Sequence, residues 1–199
     1  DHFALAVGDG SVAARLLIVA DGADSPLGTA LGIEVEARDY GTTALLATLE
    51  LDAPHGGLAC EHFTPSGPLA LLPLPARDGR ERMALVWVLP PPRAAELAAA
   101  SPQRRLTELR AALPPGAAPV SAMGDPALVP LRRIRACEPV RSRLVLAGNA
   151  AHSLHPVAGQ GFNLSVRDLA ALAQTLREHA AVGGDPGDLR VLADYARRR

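Results

Sequence analysis

The chain has 199 residues, with 20 basic and 21 acidic side chains and a formal net charge of −1 at pH 7. This nearly equal number of basic and acidic side chains argues against a nucleic-acid-binding surface. No apolar run reaches the ~18 residues of a membrane-spanning helix. We therefore expect a soluble cytoplasmic protein, and peripheral contact with a membrane stays open. The length allows one large domain or two small ones with a real core.

The two cysteines, Cys60 and Cys137, lie far apart and form no C-x-x-C pair. Thiols stay reduced in the cytosol, whereas disulfides belong to oxidising compartments. We therefore expect two inert, buried thiols rather than a disulfide.

Two apolar runs open the chain, at residues 3–7 and 16–20, with Gly8-Asp9-Gly10-Ser11 between them. A glycine-rich turn between such runs predicts a β-hairpin. The same glycines match G-x-G-x-x-A through Ala13, but a dinucleotide fingerprint requires a helix directly after the loop. Because a second strand is predicted there, we reject a nucleotide-binding role for this loop.

The second run leads into Ala20-Asp21-Gly22-Ala23-Asp24-Ser25-Pro26. An Asp-Gly pair favours a turn. Ser25 has the side chain of a helix N-cap, and Pro26 suits the first helical position. These residues predict a turn followed by a short helix.

The middle of the chain predicts an antiparallel sheet with helices on one side. Its strands are predicted at 44–51, 69–74 and 83–89. No helix separates the last two, so they should pair antiparallel. Helical patterns follow at 93–100 and 102–113, and prolines and a glycine end the second one.

The most informative stretch is residues 144–163. It begins with Leu144-Val145-Leu146-Ala147, an apolar run that suits a strand buried on both faces of a parallel sheet. The run breaks at Gly148-Asn149, and a loop with Pro156, Gly159 and Gly161 leads into a helical pattern. The apolar residues of this helix recur at spacings of three and four, which predicts a buried face made of Phe162, Val166, Leu169, Ala173 and Leu176.

Strand, glycine-rich loop and helix in this order predict either a ligand site or a plain structural connection. Ligands of open α/β folds bind at the carboxyl edge of the parallel strands. A helix start offers N–H groups and partial positive charge to an electron-rich ligand. Glycines let the backbone approach such a ligand, because they have no Cβ.

Three segments of this stretch carry a family resemblance: Gly148-Asn149-Ala150-Ala151-His152, His155-Pro156 and Gly159-Gln160-Gly161-Phe162-Asn163. Together they resemble the second flavin-binding motif of the FAD-dependent aromatic-ring hydroxylases, the p-hydroxybenzoate hydroxylase-like family. Within it they are most similar to the ubiquinone-biosynthesis branch, in the 2-polyprenyl-6-methoxyphenol hydroxylase group. Most family members have Asp where this chain has Asn149, and Asn can still accept a hydrogen bond from a ribityl hydroxyl of the flavin.

The segment that begins at Asp21-Gly22 resembles the other diagnostic motif of the same family. The resemblance implies that Asp21 lies near the FAD pyrophosphate and the path of the nicotinamide. Many members have an arginine where this chain has Gly28, so that positive charge is missing here. Two motifs in the family's order and separation are more specific than either one alone.

The resemblance implies an α/β fold, in which a partial Rossmann-like FAD-binding domain carries an inserted α+β substrate domain with an antiparallel sheet. The predicted domains are 1–32 with 135–199 for FAD, and 33–134 for substrate. The chain lacks the family's opening G-x-G-x-x-G unit, so we expect a fragment that does not hold FAD tightly alone. The residues implied to bind the cofactor are Asp21, Gly22, Gly148, Asn149, Pro156, Gly159, Gln160, Gly161, Phe162 and Asn163.

The resemblance also implies a reaction. NAD(P)H reduces FAD, O2 adds to give a flavin C4a-hydroperoxide, and the distal oxygen passes to a polyprenylated phenol. The backbone at Phe162 and Asn163 is implied to face the flavin's pyrimidine edge, with Pro156 against the rings. Residues 61–64 and 67–73 resemble the branch's substrate chamber, where aliphatic side chains suit an isoprenoid tail. They are equally well explained as core strands.

His152 and His155 form an H-x-x-H pair. Two ligands leave a metal site incomplete, so no metal is expected. His155 either helps to deprotonate the phenol or only supports the loop, and no catalytic residue is assigned.

Two other functions stay open. One is a related flavoenzyme such as a prenyl-lipid reductase or a halogenase, although a halogenase requires a lysine near the flavin and this chain has none. The other is a non-catalytic module that uses the fold to bind other ubiquinone-biosynthesis proteins.

Overall fold

The computed structural model describes residues 2–156 and 159–198. Contacts divide the chain into a terminal unit, Asp1–Arg38 with Arg132–Arg199, and a middle unit, Asp39–Leu131. The domain boundaries drawn from the sequence fall a few residues from these. The FAD-binding and substrate roles assigned to the two parts stay predictions.

Strands and helices alternate irregularly along the chain, and the mixed α/β class predicted from the sequence is confirmed. The strands are β1 (Phe3–Val7), β2 (Gly10–Ala14), β3 (Leu17–Val19), β4 (Val35–Leu51), β5 (Cys60–Thr64), β6 (Gly67–Arg77), β7 (Arg80–Leu89), β8 (Val120–Met123), β9 (Ala127–Ala136), β10 (Val140–Arg141), β11 (Leu144–Leu146) and β12 (His152–Ser153). The helices are α1 (Pro26–Ala30), α2 (Pro91–Ala99), α3 (Pro102–Ala112), α4 (Gln160–Ala181) and α5 (Leu189–Arg197), and a 3-10 turn spans Gly148–Ala150.

The first hairpin is shorter than predicted. β1 pairs with β2, which begins directly after the Gly8-Asp9 turn. The run predicted at 16–20 contributes β3, which belongs to a different sheet. The predicted partner of β1 is therefore wrong, because a two-residue turn leaves residues 10–14 as the immediate neighbours. A strand and not a helix follows Gly10, which confirms that this loop is no dinucleotide fingerprint.

The core of the terminal unit is the parallel pair β3 and β11, with β10 on the other side of β11. Leu144, Leu146 and Val19 are almost fully buried in one cluster. Val145 points to the other side of the strand and packs with Leu172 of α4. Burial on both faces explains why this strand has no polar alternation, and each such side chain contributes about 1.5–3 kcal/mol.

α4 exposes much of the face that its periodicity predicts to be buried. Phe162, Val166 and Leu169 are 77%, 47% and 45% exposed. Leu176 is the member of the predicted stripe that packs against a core. The predicted buried face is therefore wrong for the first three turns of the helix. The described residues leave an apolar stripe of α4 uncovered.

The side of α4 that is buried carries Asp168, Leu172 and Thr175. Leu172 packs with Leu192 of α5. With Leu164, these residues also recur at helical spacing, so α4 has two stripes. Periodicity alone cannot decide which of the two stripes packs against the core.

The middle unit has β4, β7, β6 and β5 side by side in this order, and β8 and β9 also pair with β4. Leu45, Trp87 and Leu69 form one row across three antiparallel strands. They share a buried core with Leu97 of α2 and Leu109 of α3. The predicted strands and both helices of this region are confirmed, including the antiparallel pairing of β6 with β7.

The cysteines are both free thiols. Cys60 is partly buried but Cys137 is exposed, so the expectation of two buried thiols is wrong for Cys137. Within the described ranges, no helix combines the length and the apolar character that crossing a membrane requires.

A junction at the amino edge of β3 and β11 ties three segments of the terminal unit together. Arg143 donates from its backbone N–H to the Gly187 carbonyl at 3.0 Å and from Nη1 to the Arg15 carbonyl at 2.8 Å. Arg143 also pairs with Asp185. Hydrogen bonds from the Arg143 guanidinium and the Gly187 N–H lower the pKa of Asp185 to about 2. Gly187 is buried, and a Cβ there would lie 2.3 Å from the Arg15 carbonyl oxygen.

We expect Gly187→Ala to lower the free energy of unfolding of the full-length protein by about 1–3 kcal/mol, because the methyl group overpacks the junction. Urea denaturation measures this. Gly10→Ala is the control, because its Cβ would meet only the Val7 carbonyl oxygen, at 3.7 Å. Equal stability of the two variants would contradict the close approach.

Candidate functional site

The carboxyl ends of β3 and β11 bring the two sequence motifs to one place. The strands pair in parallel over three residues, and the Ala147 N–H donates to the Val19 carbonyl at 2.8 Å just beyond. Asp21 follows two residues after β3, and Gly148 two residues after β11. Parallel strands end at the same edge of a sheet. The two motif segments therefore lie side by side.

The first loop is held by hydrogen bonds around the Asp21 carboxylate. Its Oδ2 accepts from the Leu27 N–H at 2.9 Å, and the Ser25 hydroxyl lowers the pKa of the carboxyl as well. Burial raises the pKa of Asp21, but the bonds from Ser25 and Leu27 outweigh it and lower the pKa below its usual value. Asp21 is therefore an exposed, ionised acceptor at neutral pH.

Ser25 is buried with a φ of 22°, a conformation that non-glycine residues rarely adopt. Its hydroxyl offsets the cost of this conformation by capping α1, where it accepts from the Gly28 N–H at 3.0 Å. The same hydroxyl lowers the pKa of Asp21. A Cβ at Gly28 would lie 2.7 Å from this hydroxyl. The glycine found where family members have an arginine is thus coupled to the position of Ser25.

The second loop leaves open space where a ligand can approach the backbone. Gly148 has a φ of 59°, and no atom lies within 4 Å of where its Cβ would be. The same holds for Gly22 in the first loop, at a φ of 98°. Asn149 is exposed within the 3-10 turn. This edge therefore presents bare backbone and one exposed amide side chain.

α4 contacts that 3-10 turn. Gly159 is the N-cap, with a φ of 60° and no side chain to cap the helix. Gln160 is the first helical residue, and a Cβ at Gly161 would meet no atom within 4 Å. Phe162 and Asn163 are exposed in the first turn. The first N–H groups of a helix have no partner within it, so this end suits an electron-rich ligand.

Two other residues of interest lie on the loop before α4. Pro156 is exposed and His155 is half buried. Val157 and Ala158, which complete this loop, lie outside the described residues. The roles assigned to Pro156 and His155 from the sequence stay predictions.

The sequence did not point to Asp168 as part of the site. Its Oδ2 lies 2.6 Å from Nε2 of His152, and both side chains are largely buried. Asp168 lies outside the predicted buried face of α4, but the residue is only 6% exposed. The available signal was its place at helical spacing between Leu164 and Leu172.

These features fit a polar ligand that approaches the backbone and donates hydrogen bonds. Glycines at Gly22, Gly148 and Gly161 leave room that a side chain would fill. The exposed Asp21 and Asn149 offer acceptors, and Asn149 also offers a donor. Fold and site together define a cofactor-binding α/β protein that carries a separate antiparallel-sheet unit.

Residues 6–199 match the family described as FAD binding domain, and the chain belongs to that family. Ubiquinone hydroxylase UbiL of Rhodospirillum rubrum is 37% identical over 98% of this chain and 45% of its own length. Human ubiquinone biosynthesis monooxygenase COQ6 is 33% identical over 98% of this chain and 48% of its own length. The chain therefore spans about half the length of the curated relatives it matches.

The fold is also similar to that of solved flavoproteins. PqsL of Pseudomonas aeruginosa, solved in complex with 2-aminobenzoylacetate, superposes with a TM-score of 0.72 at 25% identity. The match covers 96% of this chain and 52% of PqsL. The cofactor of this family is FAD.

We expect Ser25→Ala to raise the pKa of Asp21 and to destabilise the full-length protein by about 1 kcal/mol through loss of the α1 cap. A carboxyl whose pKa is lowered on folding contributes stability above its unfolded pKa, and that contribution is lost as pH falls through the folded pKa. The variant should lose part of this pH dependence. Carbon NMR of the labelled aspartate carboxyls measures the shift.

Ser101→Ala is the matched control, because the Ser101 hydroxyl caps α3 in the same way without touching Asp21. It should cost similar stability and leave the titration of Asp21 unchanged. An unchanged Asp21 titration in Ser25→Ala would contradict the hydrogen bond.

Proposed function

We propose that the full-length protein is an FAD-dependent monooxygenase. Its reaction is hydroxylation of the ring of a polyprenylated phenol in ubiquinone biosynthesis, with O2 and NAD(P)H as co-substrates. The observation that carries this proposal is the common edge of β3 and β11, where the Asp21 loop, Gly148 and Asn149 meet. The ubiquinone-biosynthesis names of relatives that align with almost the whole chain support the substrate class.

Bound FAD supplies the oxidation chemistry, and the residues of this chain bind it, orient it and exclude water. In the proposal, Asn149 accepts a hydrogen bond from the ribityl chain, and Gly148 lets the backbone approach. The first turn of α4, at Phe162 and Asn163, would offer its N–H groups and the positive end of the helix dipole to negative charge on the flavin. Asp21 would be among the residues that hold the pyrophosphate.

The sheet face that α2 and α3 do not cover supplies the proposed substrate surface, beyond its buried end at Ala44 and Val88. Leu46, Val86 and Ala70 form a row across β4, β7 and β6. They lie on the face opposite the row of Leu45, Trp87 and Leu69 that α2 and α3 cover, since neighbouring residues of a strand point to opposite faces.

The next row on this face is Thr48, Ala84 and Leu72. Leu72 is 43% exposed, and Phe63 of β5 is 69% exposed. An aliphatic, partly exposed sheet face suits an isoprenoid tail. Of the run that resembles the substrate chamber, Leu69 and Leu71 are in the buried core and are not available to a ligand. Because a polyprenylated phenol dissolves in lipid, the proposal includes peripheral contact with a membrane.

We expect the full-length protein with FAD to oxidise NAD(P)H faster when a prenylated phenol is present, and to convert that phenol to a product one oxygen heavier. Absorbance at 340 nm and mass spectrometry measure the two. Reduction of the isoprenoid chain without O2 would identify a reductase instead, and absence of turnover would favour a non-catalytic module.

The same assay tests the substrate surface. Leu72→Glu should raise KM for a long-tailed phenol more than for a tailless one, because a charge replaces apolar contact. Leu58→Glu is the control, since Leu58 is 71% exposed in the same unit but lies outside the sheet. Equal KM changes in the two variants would contradict the assignment of this face.

We expect Asn149→Leu to weaken FAD binding by about 1–3 kcal/mol, because an apolar side chain leaves a flavin hydroxyl unpaired. Asn149→Asp, which keeps the acceptor, should bind FAD nearly as well as the natural protein. Quenching of flavin fluorescence in the full-length protein gives both affinities. Unchanged affinity in Asn149→Leu would remove Asn149 from the site.

A further inference from the structure

We propose that His152 and Asp168 are a positioning pair that holds residues 148–156 against α4. The pair thereby fixes where the backbone of the second loop stands relative to the first turn of the helix. This inference rests on the proposed function for its effect on FAD, but its structural part is independent of the flavin.

The bond crosses the whole glycine-rich connection. His152 and Asp168 are 16 residues apart in sequence, and the loop with Pro156 and Gly159 lies between them. Their side chains are 19% and 9% exposed, and Nε2 and Oδ2 are 2.6 Å apart. A bond that is short and shielded from water is electrostatically stronger than one at the surface.

Each partner belongs to an element that is anchored separately. His152 is in β12, where it pairs antiparallel with Arg135 of β9, and the Ala151 carbonyl accepts from the Ala136 N–H at 2.9 Å. Asp168 is in the third turn of α4, on the side that packs on the core of the terminal unit. The pair thus joins two separately anchored elements, β12 and α4, and thereby limits where the chain on either side of the bond can lie.

The surroundings of Asp168 favour a paired carboxylate. One cavity is lined by the pair together with the apolar side chains of Ile134, Leu146 and Leu164 and with Arg133 and Arg135. A carboxylate in such surroundings is costly unless it is paired. The bond to the Asp168 carboxylate therefore holds the His152 ring in place. The held ring in turn restricts the path of the chain between Asn149 and His152.

The test compares three variants of the full-length protein, each at a temperature where it is folded. Asp168→Ala removes the bond, and Asp168→Asn keeps an acceptor of the same size. Thr175→Val is the matched control on the same buried side of α4, since its hydroxyl bonds within the helix, to the Ala171 carbonyl at 2.9 Å. The readouts are FAD affinity and amide hydrogen exchange of residues 148–152 in FAD-free protein.

We expect Asp168→Ala to weaken FAD binding by about tenfold and to speed exchange in 148–152. Asp168→Asn should restore most of both, and Thr175→Val should change neither. If Asp168→Ala does not fold, His152→Ala removes the same bond from the loop side and must give the same two changes.

The proposal would be overturned if FAD affinity and amide exchange in Asp168→Ala or His152→Ala matched those in Thr175→Val. The exchange readout needs no flavin. If the natural protein itself does not bind FAD, the proposed function fails, whereas exchange in the variants still decides whether the pair positions the loop.

Discussion

The parallel pairing of β3 with β11 is the constraint on which the rest of the terminal unit depends. It covers three residues of each strand, yet it determines that the loops after Asp21 and Gly148 emerge at one edge. Both strands are apolar; β11 is buried on both sides, whereas Ile18 of β3 is 45% exposed, and polar groups appear only where the strands end. A register slip of one residue would turn Val145 away from α4 and toward the opposite face.

Positive φ angles occur in both motif segments, as they do in turns elsewhere in the described chain. Ser25, Gly148 and Gly159 have φ angles of 22°, 59° and 60°. Strained or glycine-dependent backbone persists where surrounding contacts over-determine it, and it clusters at functional sites. Here the Ser25 hydroxyl compensates for one such conformation, and the pair of His152 with Asp168 fixes the other loop. Residues with positive φ angles therefore occur in both motif segments.

The sequence predicted the elements that have one dominant pattern. The runs at β6 and β7, the Ser25 cap and the parallel strand at β11 are confirmed, because turn residues and apolar runs mark them locally. β9 was not predicted, since arginines interrupt its apolar pattern. The buried face of α4 was wrong because the helix carries two stripes at helical spacing, and the buried one includes the polar residues Asp168 and Thr175. Asp168 was missed because its burial depends on its pairing with His152, which the local pattern does not show.

The central claim is that the Asp21 loop and the Gly148 loop contact one and the same flavin. Hydrogen exchange of the full-length protein with and without FAD tests this most directly, since peptides from each loop report separately. The account predicts that FAD slows exchange in residues 21–24 and in residues 148–151 together, at the same FAD concentration. Protection of one loop without the other, or of neither, would contradict it.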